Sequence, residues 1–96
     1  MRKVLVADDE VRVCKLICNL VDWAAFDMQI VATAHDGLSA FAAVEREKPD
    51  LVVTDIRMPG LDGLALIAKM RESAPDTDII IISGHRDFEY SQQAIE

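Results

Sequence analysis

Four times along 96 residues a short apolar run rich in β-branched side chains is followed by a longer segment of helical period, and this alternation constrains the chain more than any other feature. Residues 3–7, K-V-L-V-A, make the first run, closed abruptly by Asp8, Asp9 and Glu10. Over residues 10–24 the apolar Val13, Leu16, Ile17, Leu20, Val21 and Ala24 recur at helical spacing, predicting an amphipathic helix that ends at Asp22 and Trp23. Residues 28–34, M-Q-I-V-A-T-A, read as a second strand, and residues 38–47 as a helix stopped by Lys48 and Pro49. A third strand covers residues 50–55, D-L-V-V-T-D. After the Met58-Pro59-Gly60 turn, Asp62 is placed to cap a helix running to Ser73, with Leu66, Ile67 and Met70 on its inner face. Residues 79–82 are four isoleucines, the continuous run expected of a strand covered by helices on both faces. Ser83 and Gly84 close it, and residues 86–96 read as a fourth helix.

Repeated strand-then-helix units require a parallel sheet, because each crossover helix returns the chain to the same end. Right-handed crossovers then place helices on both faces, so the expected class is α/β with a doubly wound sheet. With 51% hydrophobic residues, residues 1–96 form one domain whose core is modest for its surface. Ligands of such sheets sit beyond the carboxyl ends of the strands, where the strand order reverses.

That edge collects Asp8 and Asp9 from the first strand, Asp55 from the third and Ser83 from the fourth. If the first and third strands are neighbours, the three acids lie close together. Two like charges ~4 Å apart at an effective dielectric near 20 repel by about 4 kcal/mol, so the cluster needs a cation or a proton. Carboxylate oxygens without nitrogen or sulfur partners select Mg²⁺, Mn²⁺ or Ca²⁺, and two or three carboxylates completed by water and phosphate oxygens favour Mg²⁺. Beside such an ion a carboxylate is a workable nucleophile towards phosphorus, and Asp55 is the natural acceptor. The bland reading, in which each acid caps a helix or bonds to its own loop, accounts for any one of them more easily than for all three with Ser83.

The net charge of −7 and the singly scattered Lys and Arg residues argue against direct nucleic-acid binding. Four apolar residues after Met1-Arg2-Lys3 fall short of a signal-peptide core, and nothing approaches a membrane span. Cys14 and Cys18 lie one helical turn apart, with β-carbons about 5 to 6 Å from each other, too far for an unstrained disulfide. They read as reduced thiols of a cytoplasmic protein, packed on a helix. A metal site on them would need further soft or imidazole ligands, and His35 and His85 have no zinc-type spacing.

The segments V-L-V-A-D-D-E, T-D-I-R-M-P-G-L-D-G-L and I-I-I-I-S-G-H together resemble the receiver domains of bacterial two-component response regulators, over the whole chain. D-W-A-A-F-D and R-D-F-E-Y are similar to the branch joined to AraC-type DNA-binding output domains. The resemblance implies a flavodoxin-like strand order 2-1-3-4 and a phosphoryl group passed from a sensor histidine kinase to Asp55. It further implies Mg²⁺ held by Asp8, Asp9, Asp55 and the backbone carbonyl of Arg57, and Ser83 as a switch hydroxyl that shifts a pre-existing equilibrium. DNA would be reached only through a separate output domain. By the same resemblance, Arg57 and His85 would occupy the family positions that tune the access of water to the acyl phosphate. The family's fifth strand, with its lysine, and fifth helix have no counterpart, so the chain is expected to be an incomplete receiver. Its isoleucine strand would leave an apolar edge inviting self-association.

Two other functions stay open. A phosphatase of the haloacid dehalogenase type also uses an Asp nucleophile with Mg²⁺, but places its acid partner two residues on after the first strand, whereas Asp8 and Asp9 are adjacent. A phosphorylation-independent interaction module of the same fold is favoured by the absent lysine strand and opposed by the retained acids. Flavin binding fails, since A-D-D-E-V offers no phosphate-cradling loop.

Overall fold

The computed structural model describes residues 1–82. They form β1 (Arg2–Ala7), α1 (Val11–Leu20), a 3₁₀ turn (Trp23–Phe26), β2 (Met28–Ala34), α2 (Gly37–Glu47), β3 (Leu51–Asp55), α3 (Gly63–Ser73) and β4 (Asp78–Ile82). All strands are parallel, in the order β2-β1-β3-β4. This is the expected doubly wound α/β sheet, with its switch point between β1 and β3.

Strand alternation sorts the core into two layers. Val4, Val6, Leu51 and Val53 face α1, where they pack with Cys14 and the half-buried Ile17 and Cys18. Leu5, Ala7 and Val52 point the other way, against Ala40, Ala43 and Val44 of α2 and Leu66 and Met70 of α3. The central strands are thus buried on both faces, which is why they read as unbroken apolar runs. Asp36 caps α2 by accepting from the Ser39 amide at 2.7 Å, and Asp62 caps α3 through Ala65 at 2.9 Å, as the sequence predicts for Asp62. Lys48, in a left-handed conformation at φ 48°, ends α2 ahead of Pro49.

Three expectations need correction. The first helix stops at Leu20, short of the end predicted at Asp22 and Trp23. Val21 is extended, and the separate 3₁₀ turn lets Trp23 fold back onto the layer with Ile17 and Met28, where a straight helix would carry it past the sheet. Helical spacing cannot register such a break. Trp23 consequently lies just before β2, at the opposite end of the sheet from the acids.

Secondly, the apolar stripe of α1 is wider than its buried face: Leu16 and Leu20 are exposed, and Cys14 takes the central place. Thirdly, the isoleucine strand is not covered on both faces among the described residues. Ile79 and Ile82 reach the two core layers, but Ile80 is 50% exposed on the α1 side, because α1 lies over β1 and β3. The helix predicted over residues 86–96, together with Ser83 and His85, lies outside the described residues.

Candidate functional site

β1 and β3 run side by side in register, Ala7 opposite Thr54, so the residues following them emerge together at the carboxyl edge. Asp8, Asp9 and Asp55 each bring a carboxylate oxygen to a cluster whose members all lie within 4.8 Å of one another. Among the described residues this is the one group of three such ligand atoms. The condition set from the sequence, adjacency of the first and third strands, is met.

The three acids differ in setting. Asp8 is 4% exposed, Asp55 half-buried and Asp9 exposed. Asp8 is anchored through its backbone and its side chain: its amide donates to the Ala34 carbonyl at 3.0 Å, and its Oδ1 accepts from the Glu10 amide at 2.9 Å. That last bond is the bland loop role considered above, and Asp8 makes it while still facing the other acids. Glu10, the residue before α1, makes no side-chain cap. Asp55 Oδ1 accepts from the amide of Ile56 at 2.7 Å, which orients the carboxyl plane at the strand end. Arg57 is exposed on the loop that follows.

Burial pushes the Asp8 carboxyl up from 3.8 to about 6; the Glu10 amide works against this, and the neighbouring Asp55 and Asp9 reinforce it. In the unfolded chain the group titrates near 4, so the fold binds this proton more tightly. Stability from protonated Asp8 is therefore full below about pH 4 and lost as pH rises through about 6, a loss of at most about 3 kcal/mol at 1.4 per unit. In chelator, denaturant melts at about pH 4.5 and about pH 7 should show wild type losing roughly 1 to 2 kcal/mol relative to Asp8→Asn. Parallel pH profiles for the two proteins would remove the electrostatic account of the cluster. An all-oxygen donor set with one buried, proton-hungry carboxylate fits a hard divalent cation, which relieves the repulsion without protonation.

The sequence reading passed over two contributors. Gly63 starts α3 against the back of the site, with its amide donating to the Ile56 carbonyl at 2.6 Å; a β-carbon there would overlap the Asp55 carbonyl. The Asp-Gly pair before a helix was the available signal. His35 follows β2 and brings Nδ1 to 3.0 Å from the Asp8 carbonyl oxygen, a contact no spacing rule would reveal. Cys14 and Cys18 are free, and burial pushes the thiol of Cys14 up to about 11 and that of Cys18 in the same direction.

The response regulator receiver domain family matches residues 4–96. Over all 96 residues the chain is 33% identical to the uncharacterized transcriptional regulatory protein YesN of Bacillus subtilis, of which it spans 26%. It is equally identical, at 33%, to the transcriptional regulatory protein HptR of Staphylococcus aureus, of which it spans 37%. The chain therefore spans well under half the length of these curated relatives. Among solved structures, the REC domain of AraT, a response regulator from Geobacillus stearothermophilus, superposes with a TM-score of 0.94 at 40% identity, covering 98% of this chain and 73% of that one. A two component transcriptional regulator AraC from Clostridium phytofermentans gives 0.85 at 32% identity, covering 94% and 73%. With the strand order and the acidic edge already in place, the chain belongs to the response regulator receiver domain family.

Proposed function

We propose that this receiver domain accepts a phosphoryl group on Asp55 from a sensor histidine kinase, with Mg²⁺ held by Asp8, Asp9, Asp55 and the Arg57 backbone carbonyl. The observation that carries the reading is the convergence of three carboxylates from two strand ends within 4.8 Å. Such a cluster is costly unless a cation occupies it. Mg²⁺ bound there would offset the charge of the incoming phosphoryl oxygens.

Asp55 supplies the nucleophile: a carboxylate oxygen forms the bond to phosphorus as the phosphorus–nitrogen bond of the donor phosphohistidine breaks. The Ile56 amide fixes the carboxyl plane for that approach. Asp8, buried and tied by the Glu10 amide, sets the inner wall of the cation site, while exposed Asp9 completes it from the solvent side. Ser83 and His85 keep the roles the resemblance gave them, switch hydroxyl and modulator of water access. The output is transcriptional, through a DNA-binding domain outside this chain, a reading supported by relatives that are transcriptional regulators. Among the described residues no helix is long and apolar enough to cross a membrane.

The test is incubation with acetyl phosphate and Mg²⁺, then borohydride, which reduces an aspartyl phosphate to homoserine that peptide mass mapping can locate. The expected result is a Mg²⁺-dependent gain of one phosphoryl group and homoserine at position 55. No adduct in a folded sample would favour the interaction module instead.

A further inference from the structure

The backbone carbonyl of Asp8 is an acceptor at which two other elements meet. His35, the residue after β2, brings Nδ1 to 3.0 Å from that oxygen, and the buried Cys14 of α1 donates to it from Sγ at 3.6 Å. A carbonyl oxygen only accepts, so Nδ1 carries the ring proton and donates. Burial, which pushes the Cys14 thiol up to about 11, keeps the sulfur a donor as well. Both lone pairs of the oxygen are thus matched by donors from elements distant in sequence.

This carbonyl belongs to the peptide that joins Asp8 to Asp9. Because a peptide unit is planar, fixing the direction of its C=O also fixes the following N–H and Cα, and hence the direction in which Asp9 leaves the strand end. The three acids depend on this to different degrees. Asp8 is buried, with its Oδ1 held by the Glu10 amide, and Asp55 is held by the Ile56 amide. Asp9 is exposed, so the peptide before it has the most to decide there. His35 is itself well anchored. Ala34, just before it, is buried and accepts from the Asp8 amide at 3.0 Å, while Asp36, just after it, caps α2. The N–H and C=O of Asp8 therefore bond to consecutive residues of one tethered segment, and the exposed imidazole supplies the second of these bonds.

We infer that His35, assisted by Cys14, is a positioning residue of the cation site: its Nδ1–H bond holds the Asp8–Asp9 peptide plane and so aims the Asp9 carboxylate at the ion. The inference rests on the Mg²⁺ site proposed above. His35 is not a ligand in this arrangement and acts through the backbone, as groups that orient metal ligands do.

The experiment is Mn²⁺ binding to the full chain, with unbound ion counted by electron paramagnetic resonance, which reads the site without phosphoryl transfer. Mn²⁺ shares with Mg²⁺ the preference for carboxylate oxygens. His35→Ala, at an exposed position, should keep the wild-type circular dichroism yet bind about tenfold more weakly, the scale on which loss of a ligand-orienting bond is felt. His35→Asn, whose amide nitrogen takes the place of Nδ1, should return the affinity to within about twofold of wild type. Added to Asp9→Ala, His35→Ala should cost no more than about a further twofold, because the carboxylate it aims is gone. Wild-type affinity in folded His35→Ala would overturn the positioning role while leaving the cation site standing. Failure of His35→Asn to restore binding, or an undiminished loss on top of Asp9→Ala, would do the same. Absence of Mn²⁺ binding by wild type would overturn the cation site and this role with it.

Discussion

Asp55→Asn is expected to gain no phosphoryl group from acetyl phosphate and Mg²⁺ under conditions where wild type gains one, while melting no lower than wild type. The amide matches the carboxyl in shape and still offers an oxygen to the Ile56 amide, so the strand end keeps its geometry. What disappears is the anion: a neutral amide oxygen is a poor nucleophile towards phosphorus and a weaker ligand for a hard cation. The same change removes one of the charges that raise Asp8, so the Asp8 carboxyl should titrate lower than its present value of about 6. Relief of repulsion offsets any lost hydrogen bonding, leaving stability level or higher by up to about 1 kcal/mol. Intact-mass spectrometry and a thermal melt on the same sample check both halves. An adduct that persists and maps to Asp8 or Asp9 would move the nucleophile; a large loss of stability would mean that the Asp55 charge holds the fold.

Gly63→Ala should be the most damaging single-methyl change near the site. The added β-carbon would meet the Asp55 carbonyl oxygen and the Ile56 α-carbon, which are backbone atoms and have no rotamer by which to yield. Either α3 backs away from β3, losing the Gly63 amide bond to Ile56, or the end of β3 shifts and takes the Asp55 carboxylate with it. Overpacking of this kind costs about 3 kcal/mol, a large part of the ~5 to 10 available to a domain of this size. The expected fall in melting temperature is about 10 to 20 °C. Gly60→Ala is a useful comparison: its φ of +81° penalises any side chain, but the space around it is open apart from Leu38 at ordinary contact, so about 1 kcal/mol is expected. If Gly63→Ala melts no lower than Gly60→Ala, the close approach of α3 to Asp55 does not constrain the site.

Strand and helix order, the parallel sheet and the acids at its carboxyl edge were legible in the residues because burial on both faces leaves unbroken apolar runs, and polarity returns abruptly where strands end. The Asp62 cap was legible for a similar reason, being a contact three residues long. Local pattern failed where a long-range contact decided the outcome. α1 ends at Leu20 because Trp23 packs back towards Ile17 and Met28, a choice made by the sheet and invisible to helical spacing. Ile80 is exposed because of where α1 lies across the strands, although its run of isoleucines reads as evenly buried.

The sequence by itself determined which side chains the carboxyl edge collects: three carboxylates that repel one another. Only the tertiary structure decided their company. Register between β1 and β3 turns distant acids into one cluster, with Asp8 buried and Asp9 in solvent. Pairing of β1 with β2 carries His35 to Cys14 and the Asp8 carbonyl, a contact between residues far apart in the chain. Residue type fixes what a group can bind, but distance and burial fix whether it is charged and whom it meets. Those follow from strand pairing between residues far apart in the chain.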